Sequence, residues 1–158
     1  MGAYRDKLVP QKDIADLCEK LRKRKAKIIF TNGVFDILHM GHVKYLAQAK
    51  QLGDILIIGL NSDASVKRIK GPKRPINPQR DRAGILSALE FVDIVVYFSE
   101  DTPAKLIEKV RPDVLVKGSD YKIKEIVGAD FVQSYGGKVK RLNLLKGRST
   151  TGVIKKMK

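Results

Sequence analysis

The stretch Lys27-Ile28-Ile29-Phe30-Thr31-Asn32-Gly33-Val34-Phe35-Asp36-Ile37-Leu38-His39-Met40-Gly41-His42 joins a strand signal to a helix signal. Lys27 to Thr31 is a short β-branched and aromatic run, and Asn32-Gly33 ends it with turn chemistry. From Gly41 to Leu52, Val43, Leu46, Ala47 and Ala49 recur at helical spacing, with Gly53 fitting a C-terminal stop. A continuous apolar strand that runs straight into a helix is the first half of a βαβ unit.

The alternation continues outward from that junction. Before it, Ala15, Leu17, Cys18 and Leu21 predict an amphipathic helix, and Cys18, the only cysteine, reads as a small core residue. After it come strands over 54–60, 94–98, 114–117 and 138–144. They are separated by helices over 78–91, 102–110 and 124–135, and a short last helix over 149–157 is capped by Ser149 or Thr150. In the helix over 102–110, Thr102 is expected as N-cap and Pro103 at the first position. Buried apolar strands alternating with helices predict a Rossmann-like α/β sandwich with a five-stranded parallel sheet and helices on both faces. At 158 residues the expectation is one domain, 1–158, with an N-terminal helix in 1–26 and the core in 27–158. In such sheets ligands bind beyond the carboxyl ends of the strands, so the loops after Thr31, Leu60, Phe98, Lys117 and Leu144 should form the site.

Charge points the same way. The chain carries 32 Lys+Arg against 17 Asp+Glu, a net +15. Lys67, Arg68, Lys70, Lys73, Arg74 and Arg80 fall within residues 64–80 without an acid, broken by Gly71, Pro72, Pro75 and Pro78, which reads as a basic loop able to hold phosphates. Nucleic acid, an anionic membrane surface and small polyphosphates are all partners that such a charge allows. Aromatic residues do not interleave with the basic runs, so a nucleic-acid-binding module, the reading from a different class, lacks a stacking platform. No apolar stretch approaches membrane-spanning length and the N-terminus has no apolar core of a signal peptide, so no membrane insertion and a cytoplasmic location are expected.

At the strand-to-helix junction neither G-x-G-x-x-G nor G-x-x-x-x-G-K-[ST] is present, which disfavours an ordinary NAD enzyme or P-loop ATPase. Both histidines of the chain, His39 and His42, flank the start of the helix instead. Unpaired backbone N–H groups and the positive dipole end make that start an anion site, Gly41 admits a ligand close to the backbone, and the imidazoles can donate to phosphate oxygens. The two histidines therefore read as a phosphate clamp. Zinc would need a third and usually a fourth ligand, and Cys18 is the only other soft one.

Gly33-x-Phe35-Asp36-x-x-His39-x-Gly41-His42 resembles the signature of the cytidylyltransferase-like nucleotidyltransferases. A second motif, Gly147-Arg148-Ser149-Thr150-Thr151, resembles the segment whose hydroxyls and helix start hold nucleotide phosphates in that family. Arg148 replaces the family's branched residue, and Leu144 stands where some cytidylyltransferases have an arginine, so CTP-type contacts do not carry over there and Arg148 is the candidate substitute. The segments 31–39, Asn61-Ser62-Asp63, Arg74-Pro75-Ile76-Asn77-Pro78, 99–103, Val116-Lys117-Gly118-Ser119-Asp120-Tyr121 and 149–151 are similar to the adenylyltransferases of the ADP-heptose route.

That resemblance implies transfer of AMP from ATP to D-glycero-β-D-manno-heptose 1-phosphate, with release of pyrophosphate, for the lipopolysaccharide core. The partners are then ATP and a phosphorylated sugar, and magnesium enters mainly on the ATP phosphates. Alternatives inside the family are a CTP-dependent glycerol-3-phosphate cytidylyltransferase and another adenylyltransferase. A homodimer is the candidate assembly, although the sequence does not fix it. The implied catalytic residues are His39, His42 and Lys70. Nucleotide contacts fall to Thr31, Asn32, Gly33, Phe35, Gly41, Lys117, Gly118, Asp120, Arg148, Ser149, Thr150 and Thr151. Substrate contacts fall to Asp36, Asn61, Asp63, Arg74 and Arg82, with Asp36 also a candidate magnesium ligand. A phosphate monoester is largely dianionic near neutral pH, so the reaction requires positioning and charge neutralisation rather than a general base.

Overall fold

The computed structural model describes residues 4–157. A 3₁₀ turn, Tyr4–Lys7, leads to α1 (Ile14–Lys23). There follow β1 (Ile28–Gly33), α2 (Met40–Lys50), β2 (Ile55–Asn61), α3 (Asp63–Lys70), α4 (Gln79–Ala88) and β3 (Ile94–Phe98). The chain continues through α5 (Ala104–Val110), β4 (Val114–Gly118), a 3₁₀ turn at Ile123–Glu125, α6 (Ala129–Ser134), β5 (Lys138–Leu142) and α7 (Thr150–Lys156). The five strands are all parallel in the order β3-β2-β1-β4-β5, so the strand order reverses beside β1. This is the Rossmann-like sandwich read from the alternation of apolar runs.

Alternate residues of each strand supply two cores, one per sheet face. Ile28, Phe30, Ile57, Val96 and Leu115 pack with Ile14 and Cys18 of α1, Leu106, Ile107 and Val110 of α5 and Val132 of α6. Ile29, Leu56, Ile58, Val95, Val114 and Val116 pack on the opposite face with Tyr45, Leu46 and Ala49 of α2 and Ala83 and Leu86 of α4. Cys18 is fully buried in the first of these cores. Among the described residues no helix is long and apolar enough to cross a membrane.

Three elements depart from the sequence reading. Residues 63–70, read as the start of a basic loop, form α3 because the Ser62 hydroxyl accepts from Ser65 N and Val66 is buried, while the lysines and arginines cover the outer side. The helix expected over 102–110 begins at Ala104 with Pro103 as N-cap, since Thr102 Oγ1 reaches only Ala104 N, at 3.5 Å. The helix expected over 124–135 splits into the 3₁₀ turn and α6, because Gly128 takes a left-handed φ of 84° between them.

Candidate active site

The carboxyl ends of β1 and β4 flank the switch point, and the loops there enclose a cleft of about 380 Å³. Its lining includes Asn32, Gly33, Phe35, His42, Asn61, Lys70, Arg74, Lys117, Thr150 and Thr151, all expected at the site, together with Phe98, Asp101, Pro103 and Tyr121. Asp101, Pro103 and Tyr121 lie in segments 99–103 and 116–121, whose family likeness was visible although their individual roles were not, and Phe98 ends β3.

The histidine pair sits at the start of α2. His39 is the N-cap, and its Nδ1 accepts from Gly41 N at 3.1 Å; His42 Nδ1 accepts from His39 N at 3.3 Å. The rings stack with centroids 3.9 Å apart, and the edge of Phe35 meets His42. Because both Nδ1 atoms accept, each neutral ring carries its proton on Nε2 and presents that N–H as a donor. Burial, helped by Arg148, holds His39 below its ordinary pKa; burial and the charge of His39 lower His42 to about 4. The pair is thus uncharged near neutrality, and its two donors stand at a helix terminus where anions are favoured.

Gly41 is indispensable to this arrangement. A Cβ there would fall 2.8 Å from the His39 ring and 3.3 Å from Arg148 Cβ. Phe35 turns the chain at a left-handed φ of 46°, a conformation that L residues adopt at a cost of about 1–3 kcal/mol, and Asp36 follows it in the wall of the cleft.

Four residues expected to touch ligand are placed in supporting positions instead. The Asp36 carboxylate is buried and accepts from Arg74 Nε at 2.7 Å, Ile76 N at 2.9 Å and Asn77 N at 2.8 Å. Burial pushes its pKa up, but these donors outweigh burial and hold the group below the usual carboxylate range. Its oxygens thus hold Arg74 and the 76–77 backbone beside the cleft. Arg82, 1% exposed, donates to Asn77 O, Val34 O, Asn61 O and Asp63 Oδ1 at 2.7–2.9 Å and ties together three loops behind the cleft. It sits in α4 on the face of Leu86, a helical periodicity that could have identified it as a core residue. Asp63 accepts from Arg82 and from Gln79 N, joining α3 to α4, and does not line the cleft. Thr31 is fully buried, with its hydroxyl 2.8 Å from Tyr45 of α2.

On the β4 side, Lys117 Nζ donates to Asn32 O at 3.1 Å, and burial lowers it to about 8 against the opposing pull of Asp120. Asp120 itself is exposed, outside the cleft lining. A Cβ on Gly118 would lie 2.5 Å from the Asp120 carboxylate. Ser149 caps α7 through Gly152 N at 3.0 Å, and Thr150 donates to Ile37 O at 3.3 Å, which brings the start of α7 against the β1–α2 loop. On the β2 side, Lys70 is exposed at the end of α3, while Arg74 uses its Nε on Asp36. Arg68 pairs with Asp101 and donates to Ser99 O, holding the loop after β3 at the rim. The cleft therefore combines the uncharged donor of His42, the cations of Lys70, Arg74 and Lys117, and carboxamides. Among the described residues no three His, Cys, Asp or Glu side chains gather as a metal site. The residues present thus do not form a protein cage for magnesium.

Comparison with known proteins identifies the family. The chain is 61% identical over 148 residues to the bifunctional protein HldE of Campylobacter concisus and 51% identical over 154 residues to that of Syntrophotalea carbinolica. These alignments cover 93% and 98% of the chain, which spans only 30% and 31% of those relatives. The lipopolysaccharide core biosynthesis protein of Thermoplasma volcanium superposes with a TM-score of 0.61 at 32% identity, over 78% of this chain and 99% of that one. A pantoate-beta-alanine ligase from Francisella tularensis, 16% identical, shares the fold with a TM-score of 0.62 over 91% of this chain and 68% of its own. The cytidylyltransferase-like family model matches residues 30–155. With the histidine pair at the start of α2 and a second family motif at the start of α7, the chain belongs to the cytidylyltransferase-like nucleotidyltransferases.

Proposed function

We propose that the protein transfers AMP from ATP to D-glycero-β-D-manno-heptose 1-phosphate, forming ADP-heptose and pyrophosphate for the lipopolysaccharide core. The observation that carries this reading is the stacked His39–His42 pair, held as Nε2–H donors at the start of α2, with His42 lining one cleft with Lys70, Arg74 and Thr150. The similarity to HldE proteins and to a lipopolysaccharide core biosynthesis protein supports the choice of acceptor.

In the proposed reaction a phosphate oxygen of the sugar phosphate attacks the α-phosphorus of ATP, and the bond from that phosphorus to the β-phosphate bridging oxygen breaks. No proton need leave the nucleophile, because the monoester is already largely dianionic. The imidazole Nε2–H groups donate to phosphoryl oxygens as charge develops, and Thr150 and Thr151 serve the distal phosphates. Lys70 and Arg74 neutralise the acceptor phosphate on the β2 side. Magnesium, when bound, rides on the nucleotide phosphates and screens their charge. The reaction belongs in the cytoplasm, where ATP is supplied.

Pyrophosphate release tests this directly. ATP with heptose 1-phosphate should give turnover, whereas CTP with glycerol 3-phosphate should give little. The reverse pattern would replace the proposal with glycerol-phosphate cytidylyl transfer.

A further inference from the structure

Alternation along β1 sends Thr31 toward Tyr45 on the α2 face and Asn32 to the opposite face, with Phe30. There, at the carboxyl end of the sheet, Asn32 lies beside Gly59 in the register with β2. Among the described residues, Asn32 Oδ1 is the one buried side-chain polar atom without a hydrogen-bond partner. An unmet buried acceptor is unfavourable, and native structures usually satisfy such groups. Neither nearby donor reaches Oδ1. Lys117 Nζ donates to the main-chain oxygen of Asn32, and Asn61 Nδ2 donates to Ser65 Oγ at 2.9 Å. That same Lys117 bond and the pairing with β2 fix the Asn32 backbone. Asn32 nevertheless lines the cleft.

A ligand entering the cleft can supply the missing donor, and the surroundings indicate which one. The histidine pair, assigned to the nucleotide phosphates in the proposed reaction, lies on the other face of β1, at the start of α2. On the face of Asn32 the cleft is closed by Asn61, Phe98, Asp101 and Pro103, at the ends of β2 and β3, with Lys70 and Arg74 at its edge. Carboxamides beside cations suit a polyhydroxy phosphate. We propose that Asn32 is a specificity-determining residue for the acceptor, its Oδ1 accepting a hydrogen bond from one hydroxyl of the sugar phosphate. This assignment moves Asn32 from the nucleotide to the acceptor, and it rests on the reading that the cleft takes ATP and a phosphorylated sugar.

The test is a cycle of enzyme and substrate changes. Wild type and Asn32→Ala are assayed by pyrophosphate release with heptose 1-phosphate and with its single-position deoxy analogues. Asn32→Ala should raise KM for the acceptor roughly 10- to 100-fold, leave KM for ATP within about threefold and keep the apo protein's thermal stability, since the unliganded atom loses no bond. One deoxy analogue should impose a similar penalty on the wild type and almost none beyond that on the variant. If the alanine variant does not accumulate, Asn32→Ser goes through the same cycle. A change confined to ATP, or penalties that simply multiply for every analogue, would overturn the assignment. If the wild type instead uses another phosphorylated polyol, the acceptor proposal fails, and the same cycle with that polyol's deoxy analogues still decides the role of Asn32.

Discussion

Replacing Arg82 with alanine separates two roles that charge alone confuses. An arginine that binds an anionic substrate should, when removed, raise KM and leave stability nearly intact. Arg82 is instead 1% exposed and donates to three main-chain oxygens and one carboxylate. Its removal leaves the oxygens of Val34, Asn61 and Asn77 without this donor and deprives Asp63 of its cation, while Asp63 keeps Gln79 N. Breaking a buried pair of this kind costs about 3–5 kcal/mol, against a total stability of roughly 5–15 kcal/mol. For a protein of this size each kcal/mol moves Tm by about 2–4 °C, so the expected loss is roughly 6–20 °C. Thermal unfolding followed by circular dichroism measures it. Lys70→Ala is the control: it is exposed and makes no ion pair among the described residues, so it should hold Tm within about 2 °C while raising KM for a phosphate-bearing substrate. A stable Arg82→Ala protein with a raised KM and an unmoved Tm would refute the structural role and restore direct substrate contact.

Gly41→Ala should move Tm by only a few degrees, because a helix-propensity gain of up to about 1 kcal/mol opposes the loss of the His39 cap, yet lower kcat at least tenfold by displacing the His39 ring. Steady-state kinetics beside a melting curve resolves the two effects. His42→Ala should reduce kcat by roughly 10²–10³-fold with a smaller change in ATP binding, and near-normal turnover would remove the histidine clamp from the mechanism. With His42 lowered to about 4 in the folded protein against an ordinary 6.5, the unfolded chain binds the extra proton first. Stability contributed by the neutral ring is therefore complete above pH 6.5 and falls away toward pH 4, by up to about 3 kcal/mol. Urea unfolding across that window should show the loss, and His42→Asn should flatten it.

The strands were legible because a parallel sheet covered on both faces demands continuous apolar runs, and each of the five runs is a strand whose ends lie within two residues of those expected. The junction at 31–42 was legible for a different reason: an anion site at a helix start needs few residue types in a short span. α3 escaped because its basic residues dominate the composition, and the features that make it a helix are a cap at Ser62 and one buried flank. The direction a polar side chain faces is set by packing rather than by its type. Asp36 and Arg82 carry the charge expected of ligand contacts, yet a left-handed turn at Phe35 and the inner side of α4 turn them toward neighbouring loops. Asn32, by contrast, gave no special signal beside its neighbours, and only its unpartnered oxygen distinguishes it.

The two margins of the sheet are finished differently. β3 is covered by the N-terminal segment, where Leu8 bridges Val95 and Val9 N donates to Val95 O at 3.0 Å. β5 ends the sheet with exposed Lys138, Lys140 and Arg141. An open strand edge is a template on which a second molecule can stack, and cationic side chains along it oppose that stacking by mutual repulsion. Some of the net +15 thus serves colloidal stability, keeping concentrated protein from growing into sheet-like aggregates. Because repulsion between exposed charges is screened within about 3 Å at 1 M salt, the protection weakens as ionic strength rises, and storage in dilute buffer favours dispersed molecules.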